Sequence, residues 1–238
     1  DLIKSHPRAR TLASLMAMIT LPLLAACSWV QASYWRDSET LFTRAILSTS
    51  KNHLAHNNLG VALAGQGRID EAIIHYNEAL RIKPEYGLAY NNLGNALYRK
   101  RLIDEAISRY REALRINPAD SKAHNNLGVA LADKGLLEEA IEHHRQSLSI
   151  YPGNIEAYNN IGNALLRQGK IDEAISYYMS AIEINPDYSP AHFNLGEALA
   201  RNGEIEKAIL HFTKVIEIDP DDREARARIR SLKQPAGR

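Results

Sequence analysis

The chain has 238 residues, 45% of them hydrophobic and 24% charged, with a formal net charge of +1. These proportions belong to an ordinary folded chain of one or two domains, and so even a balance gives no general pull toward nucleic acid or an anionic membrane. The single cysteine, Cys27, excludes an internal disulfide and a thiolate metal cluster.

The chain opens on Asp1 rather than Met, so the expectation is that something precedes it or has been removed. Residues 1–10 form a basic flank with Lys4, Arg8 and Arg10, and no charge follows from Thr11 to Trp35. A helix rises ~1.5 Å per residue, so about 20 apolar residues cross the ~30 Å hydrocarbon layer. The run Leu12–Val30 is long enough, which predicts a transmembrane helix over residues 11–33. Pro22 is tolerated better there than in a water-soluble helix. Trp29, Tyr34 and Trp35 lie where an interfacial aromatic belt would, and the basic flank assigns residues 1–10 to the cytoplasm and the remainder to the opposite side. A second reading takes Leu24-Ala25-Ala26-Cys27 as a bacterial lipobox, making the segment a lipoprotein signal ending at Cys27 and that thiol a lipidation site. A third makes the segment a buried apolar cap. The first two readings both put the rest of the chain outside the cytoplasm.

Residues 34–52 read as a capping half-repeat, with Phe42 and Ala45 in the places that an aromatic and a small residue occupy further on. From there the chain is periodic. Gly60, Gly94, Gly128, Gly162 and Gly196 stand 34 residues apart, as do Ala72, Ala106, Ala140, Ala174 and Ala208, and Pro84, Pro118, Pro152, Pro186 and Pro220. Three residue classes locked to one period predict an array of helix pairs over 53–86, 87–120, 121–154, 155–188 and 189–222. Each first helix has apolar residues at i and i+4, such as Leu93 and Leu97, flanking the Gly. A turn follows at Gly67, Gly135, Gly169 and Gly203, with Arg101 in the remaining unit. Each second helix begins near an acid (Asp70, Asp104, Glu138, Asp172 or Glu206) that suits the positive end of the helix dipole. Its Ala is followed four residues later by Tyr76, Tyr110, His144, Tyr178 or Phe212, and the Pro closes the unit. The small residues predict close helix approach, with the ring filling the adjoining gap. Residues 223–238 read as a capping helix with a basic tail: Ala225, Ile229 and Leu232 face inward, and five arginines and Lys233 remain solvated, the alternative being contact with a phosphate surface.

Over residues 53–222 these positions resemble the tetratricopeptide repeat, whose 34-residue helix pair carries Leu-Gly, Ala, an aromatic and Pro. The resemblance implies an all-α, right-handed solenoid whose first helices line a concave groove. The bulky aromatic usual near the start of the first helix alternates here as His56, Tyr90, His124, Tyr158 and His192.

Two asparagine files run along those first helices: Asn57, Asn91, Asn125 and Asn159, and beside them Asn58, Asn92, Asn126, Asn160 and Asn194. Asparagine is a poor choice inside a helix, so its use in every unit calls for a reason. A side-chain amide both donates and accepts, and a ladder of amides can hold a peptide backbone without reading its sequence. The files resemble the asparagine ladder of the protein O-GlcNAc transferase repeats. The plainer alternative is that one file ties neighbouring helices and the other faces water. Two variable files, Val61, Asn95, Val129, Asn163, Glu197 and Gly65, Arg99, Asp133, Arg167, Arg201, would tune preference. The carboxylate clamp of chaperone-binding tetratricopeptide proteins is not matched, because asparagines occupy its basic positions.

No phosphate loop or catalytic triad stands out. Six histidines follow the repeat (His56, His124 and His192; His75, His143 and His211), and equivalent ones lie in separate layers, which argues against a metal site. No cofactor, metal or catalytic residue is expected. The junction Gln31–Phe42 resembles that of TMTC-like transmembrane and tetratricopeptide-repeat proteins, which implies that any glycosyltransferase acids lie upstream of Asp1. The expected function is therefore a polypeptide-binding scaffold outside the cytoplasm, held to the membrane through residues 11–33 and making no nucleic-acid contact. It would be the non-catalytic carboxy-terminal region of such a membrane protein. The alternative is a stand-alone periplasmic lipoprotein scaffold for envelope assembly.

Overall fold

The computed structural model describes Met18 and residues 38–233, and among them it contains twelve α-helices and no strand. Apart from Met18, the predicted membrane segment 11–33 lies outside the described residues, as do Cys27 and residues 234–238. Among the described residues no helix is long and apolar enough to cross a membrane. The chain divides into two compact units, residues 1–84 and 85–238.

The first unit holds α1 (Ser38–Ser48), α2 (His53–Gly65) and α3 (Ile69–Ile82). Asn52 starts α2 by accepting the Ala55 amide at 2.9 Å, satisfying one of the amides left over at a helix start. Ala55, Leu59 and Leu63 of α2 bury against Ala72, Tyr76 and Ala79 of α3. Arg68, in the turn between them, reaches Glu39 of α1 at 2.8 Å, an exposed pair worth at most ~1 kcal/mol.

In the second unit, helices of thirteen and fourteen residues alternate: α4 (Gly87–Arg99) and α5 (Ile103–Ile116), α6 (Ser121–Asp133) and α7 (Leu137–Ile150), α8 (Ile155–Arg167) and α9 (Ile171–Ile184), α10 (Ser189–Arg201) and α11 (Ile205–Ile218). The helix α12 (Arg223–Lys233) closes the unit. Each helix packs on the next in sequence, and α4, α6, α8 and α10 also touch one another in order. The first helices therefore form one continuous face. Asp120, Asn154 and Asp222 cap helix starts at Ala123, Ala157 and Ala225.

The glycine and the ring of each pair fit each other. A Cβ on Gly94 would stand 2.5 Å from the Tyr110 ring, and one on Gly128 would stand 2.7 Å from His144. The ring lies flat where a side chain would be, and this lets the two helices approach. Four of the five intra-pair turns place Gly in the left-handed region, at φ 79 to 83°, while Arg101 takes φ 64° in the pair α4–α5. At the far end a core of Ile161, Leu165, Tyr178, Leu199, Phe212 and Val215 is covered by Ala225, Ile229 and Leu232 of α12.

Candidate functional site

The α4, α6, α8, α10 face carries most of the residues that the sequence singles out. Asn91 and Asn159 are buried, and Asn125, Asn126, Asn160 and Asn194 are half-buried beside them. The two files bond each other. The Asn126 amide donates to Asn91 Oδ1 at 3.0 Å, Asn160 to Asn125 at 3.4 Å and Asn194 to Asn159 at 2.9 Å. Each of these three outer asparagines thus reaches back to the inner asparagine of the preceding pair. A buried amide left unpaired would cost ~1–3 kcal/mol, so these bonds explain why a poor helix former recurs here. Asn126, Asn160 and Asn194 each keep a carbonyl oxygen and a second N–H beyond the bond to the neighbour. In the first unit, Asn57 is buried on α2 and donates to Asn58 at 3.2 Å.

Asn95 and Asn163 are oriented from below. Tyr110 Oη donates to Asn95 Oδ1 at 2.7 Å and Tyr178 Oη to Asn163 Oδ1 at 2.8 Å, which leaves both NH2 groups as donors. Burial raises both phenol pKa values, so the hydroxyls stay protonated. In the α6–α7 pair, Val129 and His144 replace the asparagine and the tyrosine. His144 Nδ1 turns to Asn125 Oδ1 at 2.9 Å, and its Nε2 is buried without a partner. Burial, and then the neighbouring His143, lower the His144 pKa to about 4, so the ring is neutral.

Two cavities open on this face. One of about 930 Å3 is bordered by Asn91, Asn92, Asn95, Lys122, Asn125 and Asn126. The other, of about 490 Å3, brings together Val129, Asn160, Asn163, Arg167, Asn194 and Arg201. Arg167 donates to the Ala132 carbonyl at 2.7 Å, and Arg99 is exposed at the end of α4. Asp133 accepts the Tyr98 hydroxyl at 2.7 Å and lies 3.9 Å from Arg101. Glu197 is held by Arg228 of α12 at 2.8 Å.

Comparison by equivalent repeat positions misses the histidine pairs. His56 and His75 meet through their Nδ1 atoms at 3.1 Å, and His124 with His143 and His192 with His211 do so at 3.0 Å. His124 and His192 each turn Nε2 to a proline carbonyl, Pro118 at 3.1 Å and Pro186 at 2.9 Å. Their Nε2 therefore donates, and of the two Nδ1 atoms that meet in each pair one donates and the other accepts. The pairs join the two helices of alternate repeats; the repeats between carry Tyr90 with Arg109 and Tyr158 with Tyr177 at the same places. The within-repeat separation of 19 residues was the signal available. Among the described residues no group of three or more His, Cys, Asp or Glu side chains is arranged to hold a metal.

Models of the tetratricopeptide repeat match residues 53–119, 85–153, 120–187 and 159–223. Among solved structures, YrrB, described as a TPR protein with an unusual peptide-binding site, is 26% identical with a TM-score of 0.61, over 78% of this chain and 96% of that one. PilF of Pseudomonas aeruginosa is 19% identical with a TM-score of 0.68, over 76% and 88% of the two chains. MamA of Desulfovibrio magneticus is 20% identical with a TM-score of 0.65, over 74% and 99%. The comparison with curated proteins gives no match.

Proposed function

Because the chain belongs to the tetratricopeptide-repeat family, we propose that it is a non-catalytic scaffold that binds polypeptide along the face made by its first helices. The observation that carries this reading is the asparagine face of the second unit. Its amides are fixed by Asn–Asn and Tyr–Asn bonds, and they keep donors and acceptors free over two cavities. Fixed amides suit the repeating N–H and C=O groups of an extended chain, and pre-ordering lowers the entropy lost on binding. The likeness to YrrB, with its peptide-binding site, supports the same reading. The test is binding of a mixed-sequence labelled peptide pool by fluorescence anisotropy. Changing Asn92, Asn126 and Asn160 together to Ala is expected to weaken capture while the helical circular dichroism persists. Undiminished capture by a folded variant refutes the reading.

The finer reading sets this scaffold outside the cytoplasm as the carboxy-terminal region of a membrane glycosyltransferase-like, TMTC-like protein. It rests on the apolar run Leu12–Val30 behind a basic flank and on the junction Gln31–Phe42. The second reading, a periplasmic lipoprotein, rests on Leu24–Cys27. Mass spectrometry of membrane-extracted protein separates them: a diacylated Cys27 at the amino terminus refutes the spanning helix. Several apolar spans encoded upstream of Asp1 refute the lipoprotein.

A further inference from the structure

Charge is distributed unevenly over the cavity between α6, α8 and α10. Two guanidinium groups, Arg167 and Arg201, border it together with Asn160, Asn163 and Asn194. The carboxylates nearby are already engaged. Asp133, which also borders the cavity, takes the Tyr98 hydroxyl and lies 3.9 Å from Arg101, and Glu197 is paired with Arg228 at 2.8 Å. Among the described residues neither Arg167 nor Arg201 has an ion-pair partner. The Ala132 carbonyl that Arg167 contacts is neutral, so it fixes the guanidinium without cancelling its charge. A planar fork held in this way is prepared for a carboxylate. Asn163 adds to it: Tyr178 donates to its oxygen, which fixes the amide and leaves the NH2 as a placed donor.

We propose that this cavity is a subsite for an acidic side chain, Glu or Asp, of an extended polypeptide lying along the first-helix face. The proposal rests on the polypeptide-binding reading of that face and adds the class of partner. Arg167 and Arg201 bind the carboxylate, Asn163 donates a further hydrogen bond, and Asn160 and Asn194 are left for the backbone on either side. The occupant is a peptide side chain rather than a free anion because Asn160, Asn163 and Asn194 of the amide-lined face also line the cavity.

The experiment uses the full chain and two labelled peptides, one of Ala, Ser and Glu and a matched one with Gln for each Glu, read by fluorescence anisotropy. The Glu peptide is expected to bind about tenfold more tightly, since charged hydrogen bonds replace neutral ones. Arg201→Gln and Arg167→Gln should each remove most of that difference, and Arg201→Lys should restore part of it. Added salt should shrink it, because the site is open to solvent. Circular dichroism confirms that these variants are folded. If Glu and Gln peptides bind alike, and the Asn92, Asn126, Asn160 variant weakens both, the acidic subsite is refuted and the polypeptide face stands. If neither peptide binds, both proposals fall.

Discussion

At Gly162 a single hydrogen atom stands where any other residue would put a carbon into the Tyr178 ring. The ring is fully buried and its hydroxyl is tied to Asn163, so it cannot swing aside. Gly162→Ala is therefore expected to cost at least ~1–3 kcal/mol, and Ala140→Leu, at a site with no exposed surface, a similar amount. Urea denaturation checks both; an unchanged midpoint would contradict the packing. His144 is the weak member of the ring series. Its folded pKa of about 4 lies below the ordinary value of 6.5, so the unfolded chain binds its proton first. Its contribution is intact above pH ~6.5 and is lost as the pH falls through about 4; the full loss is ~3 kcal/mol. Burial also lowers His143 and His211, which adds loss in the same direction. Val129→Asn with His144→Tyr copies the neighbouring repeats. Denaturation at pH 7 and pH 4.5 should show the double variant losing less stability on acidification than the parent.

Among the helix pairs, α4–α5 departs from the rest at its turn. The backbone there needs a left-handed residue, and Arg101 supplies it at φ 64° where the other turns use Gly. An L side chain in that region costs ~1–3 kcal/mol, against ~0.5–1 kcal/mol of extra chain entropy lost by a glycine. The Arg101 contact with Asp133, at 3.9 Å and largely exposed, returns little. Arg101→Gly should therefore stabilise the chain by about 1 kcal/mol, seen as a higher urea midpoint at an unchanged slope. The turn, the Gly–ring packing and the asparagine files were all legible in the sequence, because each recurs at equivalent positions. The His56–His75 contact and its two copies were not, because they join different positions of one repeat. Nor did the period disclose that the two asparagine files bond each other: Asn126 and Asn91 are 35 residues apart, one step off the repeat.

Over the whole molecule, a repeat array is stabilised through neighbours, so its ends matter more than in a single-core protein. In the second unit α12 does two things. Ala225, Ile229 and Leu232 pack on the core that holds Phe212 and Val215, and Arg228 holds Glu197 in an ion pair. These roles can be separated. Arg228→Ala leaves the apolar contacts in place and removes a surface ion pair, so stability should change by less than ~1 kcal/mol. The released Glu197 lies four residues before Arg201 on α10, within reach of its guanidinium. It would then compete with a ligand carboxylate for Arg201. Arg228→Ala should weaken an acidic peptide by about twofold, the size of an i,i+4 helix pair, and leave the matched Gln peptide unaffected. Adding Glu197→Gln should restore the affinity. An equal loss for both peptides would instead assign Arg228 to the packing of α12.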